Sequence, residues 1–162
     1  MDSKHETQAF ENVRDQAGFC GIWCGSCIVG NGTLRELTRR YRELITVYSL
    51  DEWGPKDFDY GELLKGLSSI ERAPLCSGCQ KGGGREDCEM RSCAQSRKIS
   101  SCHSCTELSE CKHAELLNHM RLGATKAGLF VNTEDVDRQQ LLADWITKLR
   151  RHWPCSILFA ND

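Results

Sequence analysis

Along much of the chain, apolar residues recur every three or four positions, separated by stretches in which they do not. The clearest periodic segment follows Thr33, and its apolar positions are Leu34, Leu37, Tyr41, Leu44, Ile45 and Tyr48. This spacing predicts an amphipathic helix whose apolar stripe packs into the core. Thr33 and Glu36 have the spacing of a capping box, so Thr33 is predicted to cap this helix.

Residues 51–60 are predicted to form a loop. Asp59, near its end, is expected to cap a second, shorter helix in the same way, and Pro74 ends that helix. Its apolar positions are Leu63, Leu64, Leu67 and Ile70. A third helix is predicted from Ser109, with Gly123 as its C-terminal cap. Its apolar side consists of Leu116, Leu117 and Met120.

Thr133 is predicted to cap the last helix, which Pro154 ends. The apolar face of this helix comprises Val136, Leu142, Trp145, Ile146, Leu149 and Trp153. Strand-like runs are confined to the short segments 28–30 and 156–159. The pattern therefore predicts a mainly α protein, in which residues 1–17 form a polar extension and residues 18–162 a single small domain of amphipathic helices with irregular cysteine-rich, metal-binding loops.

Cysteine dominates the chemistry of the chain, with eleven residues in 162. Three pairs have the CxxC spacing, which lets two sulfurs of one tight turn reach the same metal, and further cysteines lie close to each pair. The predicted ligands of at least two metal sites are Cys20, Cys24, Cys27, Cys76, Cys79, Cys88, Cys93, Cys102, Cys105 and Cys111. Cys155 stands alone and is expected to be a buried, inert thiol.

Disulfides are a poorer explanation for these cysteines, because their number is odd and the first twenty residues lack the apolar run of a signal peptide. We expect a cytoplasmic protein, where thiols stay reduced. An all-cysteine donor set suits both iron-sulfur clusters and zinc. The number of thiolates and the lack of paired histidines favour two [4Fe-4S] clusters, with zinc as the alternative.

The CxxxCxxC run from Cys20 to Cys27 is also the signature of radical S-adenosylmethionine enzymes. Those enzymes resemble one another in a large α/β barrel, and this chain has neither the length nor the alternation of strands and helices for it. No serine-histidine-aspartate set or pair of carboxylates stands out either. The pattern favours a protein that is not a stand-alone enzyme.

The charge of the chain bears on its partners. The net charge is −2 and the pI is about 6.2, and basic residues are dispersed along predicted helices among acidic ones. Nucleic-acid binding needs clustered Lys and Arg, so none is expected. No uncharged apolar stretch approaches the length of a membrane-spanning helix, so no membrane association is expected.

Taken together, CGIWCGSC, CSGC, CEMRSCAQSRKISSCHSCTELSEC and the late Trp-Pro-Cys resemble a cysteine-rich prokaryotic family known only as a domain of unknown function. Its pattern combines CGxxCGxC, CxGC and CxxC, and the likeness covers roughly residues 18–122. The resemblance implies zinc or iron-sulfur ligation by the ten cysteines named above and implies no particular reaction.

Two functions follow as expectations. The first is a small intracellular iron-sulfur protein that transfers electrons or serves as an accessory subunit of a redox enzyme, and so has a protein partner. The second is a zinc-stabilised protein-interaction module without redox activity.

Overall fold

A computed structural model describes residues 12–152. The helices in that range are α1 (Thr33–Val47), α2 (Leu50–Trp53), α3 (Tyr60–Glu71), α4 (Glu89–Ser96), α5 (Ala114–Lys126) and α6 (Arg138–His152). The described residues form no sheet, and their extended contacts are two isolated bridges, Ala17–Trp23 and Ile22–Val131. The prediction of a mainly α domain with cysteine-rich loops is confirmed. Within residues 12–152, no helix has the length and apolar character needed to cross a membrane.

The start of α1 differs from the predicted capping box. Gly32 precedes the helix in a left-handed conformation, and Thr33 is the first helical residue. Asn31, which is fully buried, takes the capping role because its side-chain oxygen accepts the backbone N–H of Thr33 at 3.0 Å. Glu36 pairs instead with arginines one turn further along the helix.

The predicted stripe of α1 does not pack into the core. The exposed fraction of Leu44 is 51% and that of Tyr48 is 61%, and Leu34, Leu37 and Tyr41 are also exposed. Ile45 is buried, and the other buried residues of the helix are Thr33, Glu36 and Thr38. The expectation was wrong because the side of α1 that the fold covers is largely polar.

Asp59 caps α3 as predicted, since its side chain accepts the backbone N–H of Glu62 at 2.9 Å. The helix ends at Glu71, before Pro74. The preceding loop is less irregular than predicted, because the short helix α2 lies at its start. In space, α3 packs along α1.

The ends of the last two helices also differ from the sequence prediction. α5 begins at Ala114 rather than Ser109 and continues through Gly123, and the left-handed residue that follows its end is Gly128. α6 begins at Arg138, and Asp137, not Thr133, accepts a first-turn N–H, that of Gln140, at 2.7 Å. In both cases a nearby residue with equivalent chemistry took the capping role.

α4 was not predicted, because it lies inside the cysteine-rich segment. It carries Cys93, and its buried residues are Met90, Arg91 and Ala94. Ala94 follows Arg91 by three positions and Met90 by four, which is helical spacing, but the cysteines on either side conceal the pattern.

Two apolar clusters form the core of the described residues. In one, Trp23 stacks on Trp145, with ring centroids 5.6 Å apart, and Leu149 completes the buried part. In the other, Cys20 packs with Met90 and Leu117. The predicted inner faces of α5 and α6 are confirmed for Leu116, Leu117, Met120, Leu142, Trp145, Ile146 and Leu149. The prediction was wrong for Val136, which lies before α6 and is 43% exposed. Trp153, Pro154, Cys155 and the segment 156–159 lie outside the described range.

Candidate metal centres

Ten of the eleven cysteines lie in the described range, and all ten are free thiols. From the electrostatic neighbours of Cys20 and Cys24 and from the lining of one cavity, we divide eight of them into two groups of four. We call Cys20, Cys24, Cys76 and Cys79 the first thiol set. We call Cys93, Cys102, Cys105 and Cys111 the second thiol set.

The first thiol set joins the N-terminal loop to the turn after α3. The sulfur of Cys24 accepts the backbone N–H of Cys79 and interacts electrostatically with Cys79, Cys76 and Cys20. Gly18 lies between the two segments, where a side-chain carbon added to it would lie 3.4 Å from Cys79 and 3.5 Å from the sulfur of Cys20. Residues more than fifty positions apart in sequence are thus brought to one place.

Polar residues just before the first cysteine hold the turn that carries Cys76 and Cys79. Asn12 donates to the carbonyl oxygen of Cys76 at 2.7 Å, and Gln16 donates to that of Ser77 at 2.9 Å. Within the turn, the N–H of Gly78 points at the sulfur of Cys76, at 3.4 Å. These bonds fix the backbone of the turn on which the sulfurs of Cys76 and Cys79 lie.

The glycine-rich loop after this turn is fixed by a buried arginine. Arg91 on α4 donates to the carbonyl oxygens of Gly83, Arg85 and Glu86 at 2.7 to 2.8 Å. Gly83 in turn packs so closely on the CxxC turn that an added side-chain carbon would lie 2.8 Å from the sulfur of Cys76. The loop therefore serves to pack the first thiol set.

The second thiol set surrounds one narrow cavity. Its four cysteines line the space with apolar neighbours from α4 and α5, among them Met90, Ala94 and Leu117. The CHSC segment that carries Cys102 and Cys105 is a tight 3-10 turn, and the N–H of Cys102 is bound to the carbonyl oxygen of Phe19 at 2.7 Å. This bond attaches the second set to the loop of the first.

Two arginines flank the second thiol set. Arg97, at the end of α4, approaches the sulfur of Cys105 at 3.9 Å and also hydrogen-bonds to Cys93, while its other nitrogen pairs with Glu107 at 2.7 Å. Arg121, on α5, donates to the carbonyl oxygen of Cys20 at 2.8 Å, and its positive charge offsets part of the rise that burial causes in the pKa of Cys102. Its Nη2 is buried and has no hydrogen-bond partner among the described residues.

The two sets meet at Cys20 and Cys102. These two cysteines interact electrostatically and pack in the same apolar cluster. Cys88 lies at this junction, in contact with the same cluster and coupled to Cys20. Cys27 ends the turn that begins at Cys24, and we assign neither Cys27 nor Cys88 to a set.

Burial makes the thiols at the centre of the site weak acids. Burial, with smaller contributions from neighbouring sulfurs, raises the pKa of Cys24 to about 11, and it raises that of Cys102 to about 11 as well. The pKa of Cys20 is raised for the same main reason. These groups are protonated at neutral pH, so a metal must displace protons to bind them.

The chemical type of the side chains in each thiol set suits a metal, but their present arrangement does not. Four sulfurs per set match the donor set of zinc or iron-sulfur sites, and the backbone N–H of Gly78 meets the sulfur of Cys76. However, no group of three or more His, Cys, Asp or Glu side chains within residues 12–152 is arranged to hold a metal ion. Metal binding would therefore require the side chains of each set to converge.

The histidines near the cysteines have other partners. The Nδ1 atom of His103 lies 2.5 Å from the hydroxyl of Ser101, and the Nδ1 atom of His113 lies 3.1 Å from a carboxylate oxygen of Glu89. Sequence reasoning missed the residues that support the sets, chiefly Gln16 and Arg97. A signal for Arg97 was present, because it follows Cys93 by one helical turn.

A family described as "Protein of unknown function (DUF3795)" matches residues 16–116, more than half of the chain. The matched range contains all ten predicted ligands, and the expected kind of family is thereby confirmed. No curated protein and no solved structure matches the chain.

Proposed function

We propose that this chain, which belongs to the DUF3795 family, is a metal-binding protein whose two thiol sets each hold a metal centre. The observation that carries the proposal is that eight cysteines, from five separate segments, can be divided into two sets of four neighbours. Four thiolates complete the coordination of one zinc ion or one iron-sulfur cluster. Cys27 and Cys88 are then additional to the ligands.

The first candidate for the metal is an iron-sulfur cluster at each set, in a protein that passes electrons to a partner redox enzyme. The contact between Cys20 and Cys102 supports it, because two centres that share a boundary can exchange electrons. The apolar surroundings of this boundary keep water from the sulfurs, which cluster stability requires. A reducing compartment such as the cytoplasm suits such a protein.

The second candidate is zinc, in a module whose metals hold the loops for binding another protein. The cavity at the second thiol set has a volume of about 20 Å³. This is enough for about one water molecule or one metal ion. A single ion fits there without separation of the walls, whereas a cluster of several iron and sulfide ions needs more space.

Protein purified without oxygen decides between the two. Iron-sulfur clusters give a brown protein with broad visible absorption that bleaches on reduction, and with iron and acid-labile sulfide in comparable amounts. Zinc has no colour or redox chemistry. A colourless preparation with stoichiometric zinc and no sulfide would refute the electron-transfer function, and a preparation free of both metals that also takes up neither when reconstituted would refute metal binding.

Paired substitutions test the division into sets. Cys24→Ser with Cys79→Ser is expected to remove the metal of the first set and spare that of the second. Cys93→Ser with Cys105→Ser is expected to do the reverse. Cys27→Ser is the matched control, and full metal content is expected for it; loss of a centre would show that Cys27 is a ligand and that the sets are larger than four.

A further inference from the structure

We propose that Arg97 and Arg121 compensate the charge of the metal centre at the second thiol set, so that metal affinity there depends on Arg97. This inference rests on the proposed function. Four thiolates around a divalent ion leave two negative charges in an apolar cavity, and uncompensated buried charge is costly. Two positively charged guanidinium groups lie near this site, Arg97 in the lining of the cavity and Arg121 close enough to act on Cys102, and their charge is opposite in sign to that of the centre.

The contacts of Arg97 place it across three parts of the second set. It hydrogen-bonds to Cys93 on α4, approaches the sulfur of Cys105 in the CHSC turn and pairs with Glu107 before Cys111. A planar guanidinium can make these contacts at once because its N–H groups point in several fixed directions. Arg97 would thus also hold two ligand segments at their mutual distance.

Arg121 supplies independent support, because its charge acts on Cys102, one of the cysteines that line the cavity. A buried arginine nitrogen without a hydrogen-bond partner is rare and requires an explanation. The charge of Arg121 acts on Cys102, so a thiolate at Cys102 would provide the compensation. A neutral thiol is a weak hydrogen-bond acceptor and compensates the charge of Arg121 much less.

The first thiol set is supported differently. Backbone N–H groups meet its sulfurs, that of Gly78 at Cys76, that of Cys79 at Cys24 and that of Ile22 at Cys20. Removal of a side chain does not remove such donors. An arginine substitution at the second set should therefore weaken that set alone.

The test uses Co²⁺ as the probe, since its bonds to thiolates absorb in the near ultraviolet and report ligation without any activity assay. The full-length chain carries Cys24→Ser and Cys79→Ser, so that Co²⁺ can bind only at the second thiol set. In this variant, Arg97→Gln is expected to weaken Co²⁺ binding about 10- to 100-fold, as does the loss of other side chains that hydrogen-bond to metal ligands. Chelator competition at constant pH measures the affinity.

Lys112→Gln is the matched control, because Lys112 lines the outer surface beside Cys93 and Arg97, and the substitution removes the same charge. Its affinity is expected to be unchanged. Arg97→Lys keeps the charge without the planar fork and is expected to fall between the wild type and Arg97→Gln. If the circular dichroism of Arg97→Gln shows that it has lost its helices, the affinity of Arg97→Lys is compared with the wild type instead.

Equal affinity in the wild-type and Arg97→Gln or Arg97→Lys proteins would overturn the inference, and so would equal weakening by Lys112→Gln. Failure of the proposed function has a separate signature. In that case the chain binds no Co²⁺ with thiolate absorption even when Arg97 is present.

Discussion

Single residues position the cysteine turns through contacts that cysteine spacing does not contain. Gly83 presses against the CxxC turn of the first set, Gln16 holds the carbonyl of Ser77, and Arg97 contacts two sulfurs of the second set. Each lies outside the CxxC motifs, and each acts on a ligand across a loop. Substitutions at this scale should therefore affect one set at a time.

Gly83→Ala is expected to empty the first thiol set and to lower the free energy of unfolding by about 1–3 kcal/mol, as overpacking does. The added carbon would lie 2.7 Å from the backbone nitrogen of Gly78 and 2.8 Å from the sulfur of Cys76, so the turn must move. Metal analysis and denaturant unfolding measure the two effects.

Gly123→Ala is the control for this substitution. Gly123 lies inside α5 with no atom within 4 Å of the added carbon, so alanine is expected to stabilise the helix by about 0.5–1 kcal/mol. Unaltered metal content in Gly83→Ala would contradict the packing role of the loop.

Glu36 predicts a pH dependence of stability. Its burial favours the neutral carboxyl, but hydrogen bonds from Arg39 and Arg40 outweigh burial and lower its pKa below 4.5. Because the folded-state pKa is the lower one, ionised Glu36 stabilises the protein above the unfolded-state pKa, and the contribution is lost as the pH falls through the folded-state pKa. The loss of unfolding free energy caused by Glu36→Gln should therefore be largest near neutral pH.

We expect Glu36→Gln to lower the unfolding free energy by about 1–2 kcal/mol at neutral pH, and this difference from wild type to shrink in acid. Urea unfolding of both proteins at each pH measures it, and metal loss in acid cancels in the comparison. Glu43→Gln, at a side chain that is 53% exposed, should change stability by less than about 0.5 kcal/mol. An equal difference at both pH values would count against the prediction.

At the scale of elements, helical periodicity located α1, α3, α5 and α6 but did not give the environment of each face. In α6 the apolar face packs on Trp23, as its pattern predicts. In α1 the stripe remains exposed, because α3 covers only part of the helix and the buried positions include polar residues. Two adjacent positions of α1 should therefore respond very differently to truncation.

Ile45→Ala is expected to lower the unfolding free energy by about 2–5 kcal/mol, because Ile45 is 1% exposed and its removal leaves a cavity. Leu44→Ala, one residue earlier, should cost less than about 1 kcal/mol, because its side chain is half exposed. Denaturant unfolding of the two variants tests the assignment of faces. Comparable losses would show that the stripe is covered in solution.

At the scale of the whole molecule, the two thiol sets join segments that are distant in sequence. The first set joins the N-terminal loop to the turn after α3, and the second joins α4 to the CHSC turn and the loop before α5. In the proposed metal-bound protein, these centres act as cross-links of a fold that otherwise relies on two small apolar clusters.

Removal of metal by a strong chelator is expected to abolish the cooperative thermal transition. Structural thiolate sites contribute roughly 10 kcal/mol or more to folding, as much as the whole stability of many domains. Circular dichroism followed during heating, before and after chelation under reducing conditions, measures the loss. A chelated protein with an unchanged melting curve would be inconsistent with a structural role of the metal.

The sequence by itself determined the helical class and the principal helices other than α4, and it predicted the candidate metal ligands. These features follow from local properties, namely the 3.6-residue period of apolar positions and the CxxC spacing of thiols within one turn. The kind of family was also visible in the order of the motifs. Capping residues were located only approximately, because Asn31, Gly128 and Asp137 compete with neighbours of similar chemistry.

Only the tertiary structure shows which cysteines are neighbours across the fold. Cys24 and Cys27 form one CxxC pair, yet Cys24 also lies near Cys76 and Cys79, more than fifty positions away in the sequence. Such pairings depend on long-range contacts, for example the bond between the N–H of Cys102 and the carbonyl oxygen of Phe19, which have no local sequence signal. The burial of polar Glu36 beside exposed Leu37 has the same origin, since burial is set by which elements meet.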